Sequence, residues 1–271
     1  MENIIIVRGA GDLSSAVMHK LNKCGLKVLA LEVDKPLAIR RKVSFCEAIY
    51  EKEAMVENVY CKLCKNTDEI YDVLKEGKIA LAVDPLGKYI EKLKPKIVID
   101  GILAKKNIGT SKNIADLTIA LGPGFCAGKD VDVVIETMRG HNLGKIIYKG
   151  YALENTGIPG NINGVSKERV VYSKHIGVIT NLVQIGDIVK KNQTIAYIKD
   201  DSGKRHEVRA SIDGVLRGII KDKTNIINTL KILDIDPRID EVENCYTISD
   251  KARCIAGSVL EVVISYYNNK I

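Results

Sequence analysis

The stretch Ile4-Ile5-Ile6-Val7-Arg8-Gly9-Ala10-Gly11-Asp12-Leu13-Ser14-Ser15-Ala16 decides how the first half of the chain is read. A continuous apolar run stops at Gly-x-Gly, and apolar residues then recur at Leu13, Val17 and Leu21. That pattern predicts a buried strand, a tight turn and a helix. Gly9 permits a sharp reversal. Gly11 has no Cβ, so a phosphate can approach backbone N–H groups at the positive end of a helix beginning near Asp12 and Leu13. The next apolar run, residues 27–31, ends at Glu32, about 20 residues after the turn, where a ribose-binding acid is expected. Gly9, Gly11, Asp12, Leu13 and Glu32 are therefore candidate ligand-binding residues. Asp12 has a second reading, because a carboxylate there repels a pyrophosphate and is also a natural first-turn or capping residue.

Working outward, Pro36 sits at the start of a predicted helix that carries the basic pair Arg40 and Arg41. Arg40 is a candidate for a bidentate bond to phosphate or carboxylate, and a solvated helix face is the alternative. Residues 48–54 are polar and read as loop, residues 56–64 as a short strand, and residues 68–76 as a helix capped by Thr67. The runs 79–84 and 97–101 are short, apolar and closed by Asp84 and Asp100, as strands buried on both faces are. They alternate with helix-like segments. The fold class expected is α/β, with an N-terminal Rossmann-like doubly wound parallel sheet whose ligands bind beyond the carboxyl ends of the strands.

A second glycine-rich turn, Gly122-Pro123-Gly124, follows the apolar run 117–121, so Gly122 and Gly124 join the candidate ligand-binding residues. Beyond it, Glu136, Arg139 and His141 bring an acid, a fixed cation and a side chain titrating near neutral pH within six residues. They are the candidate catalytic residues, suited to proton transfer or to holding an oxyanion. A histidine in a plain turn is the alternative.

Residues 155–164 are dense in turn formers and mark a domain boundary. After it, a shift of 37 positions aligns Gly177 with Gly214, Ile179 with Leu216, Val189 with Ile226, Ile195 with Ile232 and Ile198 with Ile235. Such coincidence predicts two similar halves. The phrases around Gly186 and Gly214 resemble a biotinyl/lipoyl-type barrel-sandwich hybrid, but the hairpin tip Asp200-Asp201-Ser202-Gly203-Lys204-Arg205 lacks the modified-lysine contexts. No covalent biotin or lipoyl is expected. Ser249 caps a last helix whose apolar residues Ala252, Ile255, Ala256, Val259 and Val263 form one buried face. The expected domains are residues 1–160, residues 161–240 as the barrel, and residues 241–271 as a helix packing back on the body.

Among 271 residues, 41 are basic and 34 acidic, a formal charge of +7 spread without a dense block, so no nucleic-acid partner is expected. No apolar stretch approaches the roughly 18 residues of a membrane span, and a cytoplasmic location is expected. The seven cysteines read as reduced thiols, and Cys61-x-x-Cys64 is only half a zinc site, so no metal site is expected.

Several phrases taken together resemble the YqeB-type accessory protein of selenium-dependent molybdenum hydroxylases. They are Arg8-Gly9-Ala10-Gly11-Asp12-Leu13, the stretch 38–45, Ile102-Leu103-Ala104-Lys105-Lys106-Asn107, Gly122-Pro123-Gly124-Phe125, Glu136-Thr137-Met138-Arg139-Gly140-His141, the stretch 155–160 and Asp234-Ile235-Asp236-Pro237-Arg238. The resemblance implies a maturation factor whose partner is the apo form of a xanthine dehydrogenase-like molybdenum hydroxylase. The ligand expected between the two glycine-rich loops is a nucleotide, of NAD(P) or ADP/ATP/CTP type, or molybdopterin. A free-standing NAD(P)-dependent oxidoreductase and a non-catalytic scaffold are the alternatives.

Overall fold

A computed structural model describes residues 3–271, which divide into two compact units. Unit 1 comprises Met1–Pro36, Val43–Thr156 and Ile248–Ile271, and unit 2 comprises Leu37–Lys42 and Gly157–Thr247. The short excursion at Leu37–Lys42 is a connection that apolar periodicity does not reveal.

Unit 1 contains, in order, β1 (Ile4–Arg8), α1 (Asp12–Lys23), β2 (Lys27–Glu32), α2 (Ala48–Glu51), β3 (Glu53–Val56), β4 (Val59–Cys64), α3 (Thr67–Lys75), β5 (Ile79–Val83), α4 (Lys88–Leu93), β6 (Ile97–Asp100), β7 (Leu117–Leu121), β8 (Cys126–Ala127), β9 (Val133–Ile135), β10 (Ile146–Ile147) and β11 (Gly150–Tyr151). Nine of these strands form one sheet, in the order β10-β9-β7-β6-β1-β2-β5-β4-β3. Strands β1, β6 and β7 are buried at every residue, because each side of the sheet needs apolar cover and these runs supply it on both faces.

The expected Rossmann-like doubly wound parallel sheet is corrected by this topology. The sheet is mixed, since β10 and β3 pair antiparallel at its two edges. Beyond β5, the parallel strand β4 is added out of chain order, so that β5 lies between β4 and β2. Helical crossovers are also missing where that fold requires them. Between β6 and β7 runs a loop with one 3-10 turn, and β7 reaches β9 through the small strand β8.

Unit 2 holds β12 (Val170–Tyr172), β13 (Gly177–Asn181), β14 (Ile188–Val189), β15 (Thr194–Lys199), β16 (Arg205–Arg209), β17 (Gly214–Ile219), β18 (Asn225–Ile226) and β19 (Lys231–Asp236). Strands β13, β14 and β15 recur 37 positions later as β17, β18 and β19, so the spacing read in the sequence corresponds to strands. The expected biotinyl/lipoyl-like barrel-sandwich hybrid is corrected to two four-stranded antiparallel sheets, β12-β19-β17-β14 and β16-β15-β13-β18. Residues from both sheets, among them Ile179, Ile195, Leu216, Ile219 and Leu233, share one core.

The chain returns to unit 1 as α5 (Asp250–Tyr267), whose Ser249 Oγ accepts from the Ala252 N–H at 3.2 Å. The buried stripe Ala252, Ile255, Ala256, Val259, Val262 and Val263 packs α5 on α1. No helix among the described residues is long and apolar enough to cross a membrane.

Candidate functional site

In unit 1 the loops following β1, β6, β7 and β9 leave the same carboxyl edge of the parallel strands. Backbone approach holds them together. Gly9 has φ +87°, and a Cβ there would lie 3.0 Å from Gly101 O and from Ile102 Cα. The Ser14 Oγ donates to Gly101 O at 2.7 Å, tying α1 to the loop after β6. At Gly124, with φ +110°, a Cβ would meet Lys106 N at 2.7 Å, and at Gly122 it would meet Thr137 Oγ1 at 2.5 Å. Three of the four turn glycines are thus spent on loop-to-loop packing. Gly11 alone among them faces open space, with nothing within 4 Å of a Cβ position and an ordinary φ of −70°.

The acids of this edge are largely engaged by backbone. The Glu32 Oε2 accepts from Ala10 N–H at 2.7 Å and its Oε1 from Val33 N–H at 2.8 Å. Burial pushes the Glu32 carboxyl upward and these two bonds pull against it. Asp12 Oδ1 accepts from the Leu13 N–H at 2.8 Å, so a carboxylate already caps the first turn of α1. Glu136 is 2% exposed, and its oxygens accept from Met138 N–H at 2.7 Å and Leu153 N–H at 2.8 Å. Beneath the edge, Arg8 Nη1 donates to Thr110 Oγ1 at 2.5 Å, and Thr110 Oγ1 donates to Asp100 Oδ2 at 2.5 Å. Arg8 and Asp100 are themselves 3.7 Å apart and both buried.

Of the proposed catalytic group, Arg139 makes a two-pronged pair with Asp250, both distances 2.7 Å, and His141 is exposed in the loop after β9. Arg40 belongs to unit 2, where its Nη2 donates to the backbone carbonyls of Asn244 at 3.1 Å and Thr247 at 3.2 Å. Cys61 and Cys64 lie buried on β4, with both thiols pushed up by burial. No group of three or more His, Cys, Asp or Glu residues suited to a metal ion occurs among the described residues.

The residue that sequence reading passed over is Lys251, in the first turn of α5. Burial holds its ammonium below the usual lysine range, against the carboxylates of Asp12, Glu136 and Asp250, while the Arg139 guanidinium adds to the lowering. Lys251 makes no hydrogen bond or ion pair among the described residues, although four charged groups of this edge act on it. Its only sequence signal was adjacency to a helix cap, since apart from Asp250 the charged residues that act on it, Asp12, Glu136 and Arg139, lie more than a hundred positions away.

Over 261 residues the chain is 44% identical to the uncharacterized protein YqeB of Escherichia coli K12, a match that covers 96% of this chain and 47% of that protein. The chain is a relative of YqeB. It spans about half the length of the curated relative it matches. No family model matches. Similar solved structures include the ectoine utilization protein EutE (DoeB) of Ruegeria pomeroyi, with 12% identity, TM-score 0.25, and 85% of this chain and 56% of that one covered. An aspartoacylase family protein of Mesorhizobium loti matches with 12% identity and TM-score 0.27, over 87% of this chain and 85% of that one. A succinylglutamate desuccinylase of Silicibacter sp. TM1040 has 9% identity and TM-score 0.21, with 86% of each chain covered. At such scores these neighbours carry nothing about the fold or the chemistry of the YqeB relative.

Proposed function

We propose that this YqeB relative is an accessory factor that holds a phosphate-bearing ligand at the carboxyl edge of unit 1, in the maturation of a molybdenum hydroxylase. The ligand class is a nucleotide or a molybdopterin-type phosphate. What carries the reading is Lys251, a half-buried cation with no ion pair among the described residues, on which Asp12 acts, the chain neighbour of the one turn glycine that faces open space. Gly11 is the N-cap of α1 and so stands at the positive end of that helix. An ammonium held below its ordinary range regains that range when an anion arrives, so the chain has a favourable step to offer a phosphate. Glu32 and Glu136 keep both oxygens, and Asp12 one, on backbone N–H groups and shape the loops. In this assignment they position and do not react.

The test is a thermal-shift series with ADP, CTP, NAD and molybdopterin on wild type and on Gly11→Val. A ligand at 100 times its Kd adds about 2.7 kcal/mol to the stability of the state that binds it. Because Gly11 has an ordinary φ and free space around its Cβ position, valine is accommodated, and the unliganded midpoint is expected to change little. The ligand-dependent rise is expected to vanish, since the new side chain fills the space the phosphate needs. An undiminished rise in Gly11→Val moves the ligand elsewhere. Absence of a rise with every probe leaves the scaffold reading, and turnover of NAD with a reducible substrate leaves the oxidoreductase.

A further inference from the structure

We propose that the outer face of the sheet β16-β15-β13-β18 in unit 2 is a docking surface for a protein whose own surface sets carboxylates among apolar side chains. Strand alternation divides this sheet into two faces. Ile179, Ile198, Val208 and Ile226 point inward and belong to the core shared by the two sheets of the unit. The residues between them point outward, and the register sets Arg205, Lys199, Val178 and Asn225 in one cross-strand row. One step beyond that pairing, Ile176 falls beside Ile227. Ile176 is 63% exposed, Ile227 62% and Val178 40%, so three β-branched apolar side chains share a solvent-facing patch. Apolar surface gathered in one place and rimmed by charge is a feature of protein contact sites.

The charges select the partner. Lys199 lies directly opposite Arg205, and like charges so placed weaken a sheet. Neither side chain makes a hydrogen bond or ion pair among the described residues, and both are exposed. Glu207, the one acid among the outward strand residues, is already paired with Arg209. Lys223, exposed just before β18, adds a further cation. Such a face repels a second copy of itself and attracts a partner that brings carboxylates, which relieve the opposed Lys199 and Arg205 on contact. The exposed isoleucines then gain apolar cover in the same step. This face stands on other residues than the Lys251 edge, but the apo molybdenum hydroxylase used as partner below rests on the maturation reading.

The experiment measures docking of the full chain to a purified apo molybdenum hydroxylase by sedimentation velocity at low and high salt, beside the thermal rise given by ADP or molybdopterin. Wild type is expected to dock, and less tightly as salt screens the face. Lys199→Glu is expected to weaken docking at least about tenfold, because it sets a carboxylate against those of the partner. Its unliganded midpoint is expected to hold or climb, because the new carboxylate lies opposite Arg205. Ile176→Ser/Ile227→Ser is expected to weaken docking and keep the fold, since both side chains are already in water. Both variants are expected to keep the ligand-dependent rise. The proposal is overturned if Lys199→Glu docks like wild type, if wild type does not dock, or if the face instead binds anionic phospholipid vesicles or a second copy of the chain. A missing ligand-dependent rise in wild type removes the Lys251 reading alone, and the docking comparison still decides this one.

Discussion

Asp100→Ala is expected to destabilise unit 1 by about 3–5 kcal/mol, because it leaves the buried Arg8 guanidinium without its counter-charge. Asp100 is 1% exposed at the end of β6, and its Oδ1 and Oδ2 also accept from Ile102 N–H at 3.1 Å and Thr110 Oγ1 at 2.5 Å. Removing the carboxylate therefore strands a cation, a backbone donor and a hydroxyl together. Urea unfolding of wild type, Asp100→Ala, Arg8→Met and the double variant Arg8→Met/Asp100→Leu closes the cycle. The double variant is expected to recover much of the loss, since replacing a buried pair by apolar side chains of similar volume is commonly near neutral. A loss under 1 kcal/mol for Asp100→Ala would show that water reaches Arg8 freely.

Gly9→Ala is expected to cost about 2–5 kcal/mol, the sum of two effects that do not overlap. A non-glycine residue in the left-handed region costs roughly 1–2 kcal/mol, and overpacking adds about 1–3 kcal/mol. The strain follows from φ +87°, and the crowding from a Cβ placed 3.0 Å from Gly101 O. Neither atom can yield cheaply, because Gly101 N–H donates to Arg8 O at 2.9 Å and Ser14 Oγ clamps the Gly101 carbonyl. The contrast with Gly11→Val is the diagnostic. Denaturant midpoints should separate two glycines of one Gly-x-Gly turn, the first structural and the second open to a ligand.

Much of the strand content was legible because it rests on local pattern. The runs at Ile4–Arg8, Ile79–Val83 and Ile97–Asp100 are apolar on both faces, and the 37-residue offset carries three strands of unit 2 onto three others. The hairpin of β3 and β4 was only half legible. Residues 53–54 are polar enough to read as loop because β3 is an edge strand with exposed Glu53 and Met55. The place of β4 was not legible, since nothing local says that β5 sits between β4 and β2. The site was readable in its turns and hidden in its partners. Glu32 stands where a ribose-binding acid is expected and instead bonds Ala10, and the glycines of the second turn meet Lys106 and Thr137. Lys251 escaped notice because its surroundings bring Asp12 and the Glu136–Arg139 loop, two distant segments, to the start of α5.

Lys251 also decides the pH behaviour. Its folded pKa lies below the unfolded lysine value, so between the two the unfolded chain binds more protons and stability rises with pH across that window, which closes near 10.5. Lys251→Met is expected to abolish that alkaline rise. Anion binding has the opposite sign, because it needs the ammonium. Affinity is expected to hold at neutral pH and to fall as pH climbs through the lowered folded pKa.

Calorimetric titration of ADP and molybdopterin into wild type, Gly11→Val and Lys251→Met, at neutral and alkaline pH, therefore tests the proposed edge most directly. The expected result is binding by wild type that weakens at alkaline pH, with at least about a tenfold loss in each variant, the 1.4 kcal/mol that one charge-assisted contact supplies. Wild-type affinity that both variants retain, or the absence of binding by either probe, would contradict a phosphate site at Gly11 and Lys251.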